Sequence, residues 1–249
     1  MKSLLTRRRL WLFWVLAVIL FIAVALMPLG TQKTRVAGLA LLFVAWFGLV
    51  VLLWRHLYLR LAVLAVSLGS AVFLALPGRA QVDVEGLRRD YVAGLQRYDH
   101  VPYYWGGESF MGIDCSGLVR RGLIDAAFCR GLRSLDPGLV RFSLDLWWHD
   151  CSAEALGQGW RGLARHVMDI PNINTLDHSK ILPGDLAVTA SGHHVMAYLG
   201  DRRWIEADPG AEKVVVISTQ KGDNPWFHSH MTIVRWGILD SVPFSSANP

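Results

Sequence analysis

The chain has 249 residues, 53% of them hydrophobic and 18% charged, with a formal net charge of +5. Its mean hydropathy is +0.32. That apolar content excludes a disordered chain, and a charged fraction below the about 25% of an ordinary soluble domain argues against a wholly soluble one. The composition points to a membrane segment joined to a second part.

The charge is divided unequally. Residues 1–80 carry nine Lys and Arg and no acid, whereas residues 81–249 carry the other sixteen and all twenty acids. The first part is +9 and the second −4. The overall isoelectric point near 9.3 therefore does not mark a nucleic-acid surface, because the basic excess lies in and beside apolar runs. No nucleic-acid partner is expected.

Three apolar runs, at about 10–29, 36–54 and 61–77, contain no acid. A helix rises about 1.5 Å per residue and crosses a hydrocarbon core in about 17–25 residues, so each run is long enough. Trp11, Trp14, Trp46, Trp54 and Tyr58 lie in or beside the runs, several near the ends, where interfacial rings are favoured. Two other readings stay open. The first run, preceded by Arg7, Arg8 and Arg9, also reads as a signal peptide. The third also reads as a buried helix of a soluble domain. Taken as three spans, residues 1–80 form a membrane anchor in the bilayer. With the N-terminus inside, six basic residues fall on the inner side and only Lys33 and Arg35 in the first outer loop. The positive-inside rule favours that orientation. Three crossings then place residues 81–249 on the extracytoplasmic side of the cell membrane.

After Gln81 the pattern changes. Val84, Leu87, Tyr91, Leu95 and Tyr98 recur at helical steps. A turn-rich stretch follows from His100 to Asp114. A second helix is expected from Cys115 to about Leu132. Residues 131–180 are irregular and Trp-rich. Five strand-like runs come next, at 186–190, 195–199, 203–207, 213–218 and 231–236, with turn residues between them, as in an antiparallel meander. Helices first and strands after predict an α+β domain over 81–249.

The sharpest local signal is Asp114-Cys115-Ser116-Gly117, where a Gly-rich loop meets a helix. A thiol at a helix N-terminus sits near free N–H groups and the positive end of the dipole, which favour the thiolate. The same N–H groups can receive an oxyanion. A buried structural Cys would read the same in isolation. A nucleophilic Cys needs a base, and the base an orienting partner. His193 and His194 precede one strand run, and side-chain alternation lets only one of them face the site. Glu206 and Asp208, on or after the next run, can supply a carboxylate that fixes the imidazole tautomer.

Four blocks then stand in order: Tyr103-Tyr104-Trp105-Gly106-Gly107, Asp114 to Val119, Leu182-Pro183-Gly184-Asp185-Leu186, and His194-Val195-Met196-Ala197-Tyr198-Leu199-Gly200. Together they resemble the NlpC-type, papain-like cysteine peptidases of bacterial cell walls, over roughly residues 84–236. The resemblance implies Cys115 as nucleophile and His194 as general base. It puts Glu206 at the third polar position, where the family more often has His or a neutral amide, with Asp208 in reserve. Tyr103 matches a Tyr beside the thiol, and Asp114 and Ser116 match positions lining a pocket for a free peptide amine. The implied activity is hydrolysis of amide bonds in peptidoglycan stem peptides, with no cofactor. The 79 residues from Cys115 to His194 exceed the compact family spacing, so 131–180 reads as an enlarged insertion, either a groove wall or a helical excursion with its own small core. A thiol-dependent acyl or amide transferase at the membrane and a silent wall-binding module are the alternative functions. In an oxidising compartment Cys129 and Cys151 are free to pair. No His or Cys spacing points to a metal site.

Overall fold

The computed structural model describes residues 2–220 and 224–240. Residues 241–249 of the expected soluble part lie outside the described residues.

Three helices open the chain: α1 (Lys2–Ala25), α2 (Gln32–Leu52) and α3 (Leu57–Ala75). Each is long and apolar enough to cross a membrane. Their bounds lie a few residues before those read from hydropathy. Pro28 and Pro77 explain this, because proline disfavours helical backbone in the residue before it and cannot continue the helix. Thr31 starts α2 early, its hydroxyl accepting from Thr34 N–H at 3.3 Å. The helices turn their apolar side chains outward, and Phe13 and Val66 are each 70% exposed. Polar atoms inside the trio find partners: Trp14 Nε1 donates to Ala45 O at 2.8 Å and Trp46 Nε1 to Ser67 Oγ at 2.9 Å.

The remainder is α+β. Helices α4 (Val84–Gln96) and α5 (Cys115–Arg133) flank a small hairpin of β1 (Glu108–Ser109) and β2 (Gly112–Ile113). Then come α6 (Pro137–Trp148), α7 (Ala153–Gly157) and β3 (Ala164–Ile170). Strands β4 (Leu186–Thr189), β5 (Val195–Gly200), β6 (Arg203–Asp208), β7 (Lys213–Ser218) and β8 (Met231–Trp236) complete an antiparallel sheet of order β3-β8-β4-β5-β6-β7. The expected meander holds from β4 to β7. Strand β8 departs from it by returning to lie between β3 and β4. The first helix of this part ends at Gln96, two residues short of Tyr98, the last residue of its apolar pattern.

Aspartates set the helices of the α+β part. Asp83, Asp114 and Asp136 each accept a hydrogen bond from a backbone N–H in the first turn of α4, α5 and α6. Pro137 at the first position of α6 adds a preset φ. One face of the sheet, through Leu186, Val188, Val195, Ala197 and Ile205, packs on Leu87, Tyr91, Leu118 and Leu123 of α4 and α5. The other face, through Met196, Tyr198 and Trp204, is covered by Ile173, Ile181 and Phe227.

Segment 131–180 is built into this core instead of forming one of its own. Leu139, Leu146, Leu156 and Ala164 belong to the cluster that contains Leu118 and Val195, and β3 extends the sheet edge. The Pro183-Gly184-Asp185 block also has a structural use. Asp185, fully buried, accepts from Leu182 N–H and from both arms of Arg235 at 2.6 and 2.7 Å, locking the entry to β4 against β8.

Candidate active site

Cys115 is the first residue of α5, directly after the cap residue Asp114. The cap is tight. Asp114 Oδ1 accepts from Gly117 N–H at 2.6 Å and from Ser116 Oγ at 3.0 Å, and Oδ2 accepts from Gly106 N–H at 2.9 Å. The helix start is thereby tied to the Gly-rich loop, which also bonds through Asp114 N–H to Gly107 O at 3.1 Å. A Cβ at Gly117 would collide with Gly107 O, so close approach of loop and helix requires glycine there. Asp114 is thus occupied as a cap, and burial raises its pKa even against the hydrogen bonds from Gly117, Ser116 and Gly106.

His194 ends the turn before β5 and is 2% exposed, whereas His193 is exposed. Its Nε2 meets Glu206 Oε2 at 2.5 Å, and the Cys115 side chain lies close enough to favour its protonated form. Cys115, His194 and Glu206 therefore form one continuous chain. Burial works against the imidazolium, but the contacts with Cys115 and Glu206 outweigh it and raise His194 from 6.5 to about 9.

Register explains why two acids competed in the sequence. Tyr198 pairs with Trp204, so by alternation His194, Glu206 and Asp208 all belong to one face of the sheet. Burial separates them. Glu206 is 1% exposed and meets His194. Asp208 lies at the strand end and accepts from Gly210 N–H at 2.9 Å.

Two partners of this chain carry no sequence motif. Asn224 is buried, and its side-chain amide donates to Glu206 Oε1. Trp226 stacks on the His194 ring, centroids 4.2 Å apart and planes 13° from parallel. The only advance signal was Asn224-Pro225, a helix start of cap followed by proline: Asn224 Oδ1 accepts from Trp226 N–H at 2.8 Å.

A groove of about 530 Å³ opens over Cys115. Tyr103, Asp114 and Ser116 line it on one side. Tyr103 is raised to about 12, chiefly by burial and then by the charges of Cys115, Asp114 and Asp208, so its hydroxyl keeps its proton. Asp150, Cys151, Ser152, Ala153 and Glu154, all from segment 131–180, line the groove too. Burial pushes the Cys151 thiol up to about 12 against the pull of Arg120, which leaves it protonated beside Cys115. No disulfide joins Cys129 to Cys151: all three cysteines are free, with Cys129 beside Asp90 and Arg133 and Cys151 in the groove. Among the described residues no cluster of three His, Cys, Asp or Glu is placed to hold a metal ion.

No family model and no curated protein matches the chain. Solved structures do. NlpC2 from Trichomonas vaginalis matches at 18% identity and a TM-score of 0.39, covering 63% of this chain and 49% of that one. The chain thus spans about half the length of that protein. The P60 domain of an antigen from M. avium subspecies paratuberculosis matches at 24% identity and a TM-score of 0.39, covering 64% and 99%. The peptidoglycan hydrolase RipB from Mycobacterium tuberculosis matches at 20% identity and a TM-score of 0.38, covering 62% and 67%. These are NlpC/P60 family proteins, the family that the four sequence blocks resemble.

Proposed function

We propose that the protein is a membrane-anchored cysteine peptidase that hydrolyses amide bonds in peptidoglycan stem peptides on the extracytoplasmic side. The observation that carries the chemistry is the buried chain from Cys115 through His194 to Glu206. The four ordered sequence blocks carry the substrate class.

In this reading His194 holds a proton at neutral pH, and the Cys115 thiolate beside it is the nucleophile. The sulfur attacks the peptide carbonyl carbon. Negative charge gathers on the oxygen, which faces the N-terminus of α5 and the Tyr103 hydroxyl. His194 gives its proton to the leaving amine as the C–N bond breaks. Water then attacks the thioester, His194 takes its proton, and the acid leaves with Cys115 restored. Glu206 orients His194 and stabilises its charge, and Asn224 holds the second oxygen of Glu206. No step needs a cofactor.

The anchor fits the same side. The α1–α2 loop and the end of α3 both touch the soluble domain: Glu108 N–H donates to Pro28 O at 2.8 Å, and Arg141 donates to Leu74 O and Leu76 O. Three crossings put that loop and that helix end on one side of a bilayer, opposite the basic N-terminus.

The test is incubation of the full chain in detergent with purified muropeptides, read by mass. Wild type is expected to cleave a stem peptide, and Cys115→Ala to lose at least about 10⁴-fold. Equal cleavage by both, or by neither across varied stem peptides, would overturn the mechanism.

A further inference from the structure

The groove over Cys115 is joined to the membrane helices. Leu29 forms an antiparallel bridge with Gly107, and Gly30 N–H donates to Gly106 O at 3.1 Å. Arg35 of α2, 4% exposed, pairs with Glu108 at 2.7 Å and donates to Trp148 O at 3.2 Å. Glu108 in turn pairs with Arg120 of α5 at 2.8 Å. The connection from α3 is short and pinned, with Arg79 N–H on Asp136 and Arg141 on the last carbonyls of the helix. The domain is held down on its anchor, and Gly30 of the outer loop is itself part of the groove wall.

A second cleft, of about 500 Å³, lies against that wall. Gly30 and Glu108 line both. Its other walls are mainly apolar: Val24, Leu39 and Leu42 from α1 and α2, and Phe110 and Met111 from the tip of the β1–β2 hairpin. Leu39 and Leu42 are exposed residues of a helix read as a span, so the cleft continues the bilayer-facing surface of that helix into the foot of the domain.

We propose that this cleft takes a lipid chain, and that the substrate is a peptide carried on a membrane lipid. This rests on the reading of the protein as a membrane-anchored peptidase. A chain leaving the bilayer for this cleft gains little from hydrophobic burial, because lipid tails are as apolar as leucine. The gain is positional. With the lipid held on one side of the Gly30–Glu108 wall, the attached peptide is confined beside Cys115 on the other, at a high effective concentration. A peptide with no lipid has no such confinement.

The full chain in nanodiscs tests this, with a lipid-linked muropeptide and the same muropeptide without its lipid as probes. Wild type is expected to cleave the lipid-linked form at least about tenfold faster. Leu39→Trp and Leu42→Trp fill the cleft from exposed positions and should each lower that rate ratio about fivefold or more. Val66→Trp, on the outer face of α3, should leave the ratio as it is. Binding is read separately by retention of the lipid-linked form on Cys115→Ala. Cleavage of both forms at equal rates, or a ratio that neither cleft variant changes, overturns the lipid site and leaves the peptidase standing. Retention that the cleft variants weaken, with no cleavage of either form, upholds the lipid site and overturns the peptidase. Neither retention nor cleavage overturns both.

Discussion

The two parts of this chain solve the same problem with opposite means. Helices α1 to α3 have no acid in their first turns and no base in their last, and their apolar side chains point outward. Inside a bilayer a helix satisfies its own backbone and needs little else. Helices α4 to α6 each begin on an aspartate cap and bury one face in the core they share with the sheet. In the α+β part charge is sunk into the core in chains of partners: Asp185 with Arg235, and Glu206 with His194 and Asn224. The two parts are coupled where a charge of one is buried against the other. Arg35 is a buried charge that belongs to the apolar helices and is neutralised by Glu108 of the α+β part.

The largest effect should come from the buried Cys115–His194–Glu206 chain on which the proposed mechanism rests. Glu206→Gln keeps the shape and removes the charge. Cleavage should fall on the order of 10²- to 10⁴-fold. The pH profile should change as well. His194 is raised from 6.5 to about 9, so its imidazolium persists below that value and is lost above it. Activity is therefore expected to fall as pH rises through about 9. The stability that the charged histidine contributes is complete below 6.5 and lost over the same rise. With Glu206 neutral, the alkaline fall should move down by about one pH unit or more. Asp208→Asn should leave both nearly unchanged. A reversed order between the two variants, in rate and pH profile, would remove Glu206 from its role.

Much of this was legible before the structure, and the limits have physical causes. The three long N-terminal helices are legible because they are apolar on all sides. Strands β4 to β8 are readable because they are short apolar runs bounded by turn residues. The edge strand β3 was not, since only Ala164 and Ile170 at its ends are buried. Its pairing with β8 comes from the backbone, which leaves no composition signal. Helix α6 was missed although Asp136-Pro137 marks its start and Leu139, Val140, Ser143 and Leu146 mark its buried face. Around the site, Cys115 and His194 lie in ordered motifs. Asn224 and Trp226 come from a loop 30 residues after His194, and a contact made by loop return has no period to read.

The next effect tests whether the two parts are mechanically separate. Arg35→Met keeps the bulk of the side chain and leaves Glu108 with Arg120 alone. A buried acid that loses one of two partners should cost the full chain about 1–3 kcal/mol, seen as a lower Tm in detergent. Because Glu108 directly follows the Gly106-Gly107 loop bonded to Asp114, cleavage should slow in parallel. Lys33→Met, two residues earlier in α2, is the control and should do neither. An unchanged Tm and rate for Arg35→Met would mean that the apolar helices and the α+β part are independent modules.

The smallest effect concerns a contact that adds to the soluble part's charge chain without belonging to it. Trp226 offers its ring face to His194 at 4.2 Å. A cation over an indole is stabilised by about 0.5–2 kcal/mol, and the neutral imidazole gains less. Trp226→Leu keeps an apolar cover but removes the ring. It should therefore lower the alkaline fall in activity by up to about one pH unit and slow cleavage only a few-fold at neutral pH. A purely packing role would instead change stability at all pH values alike and leave the position of the alkaline limb where wild type has it. Glu206 and Trp226 are thus separable on one titration, the first changing both height and position of the profile, the second mainly its position.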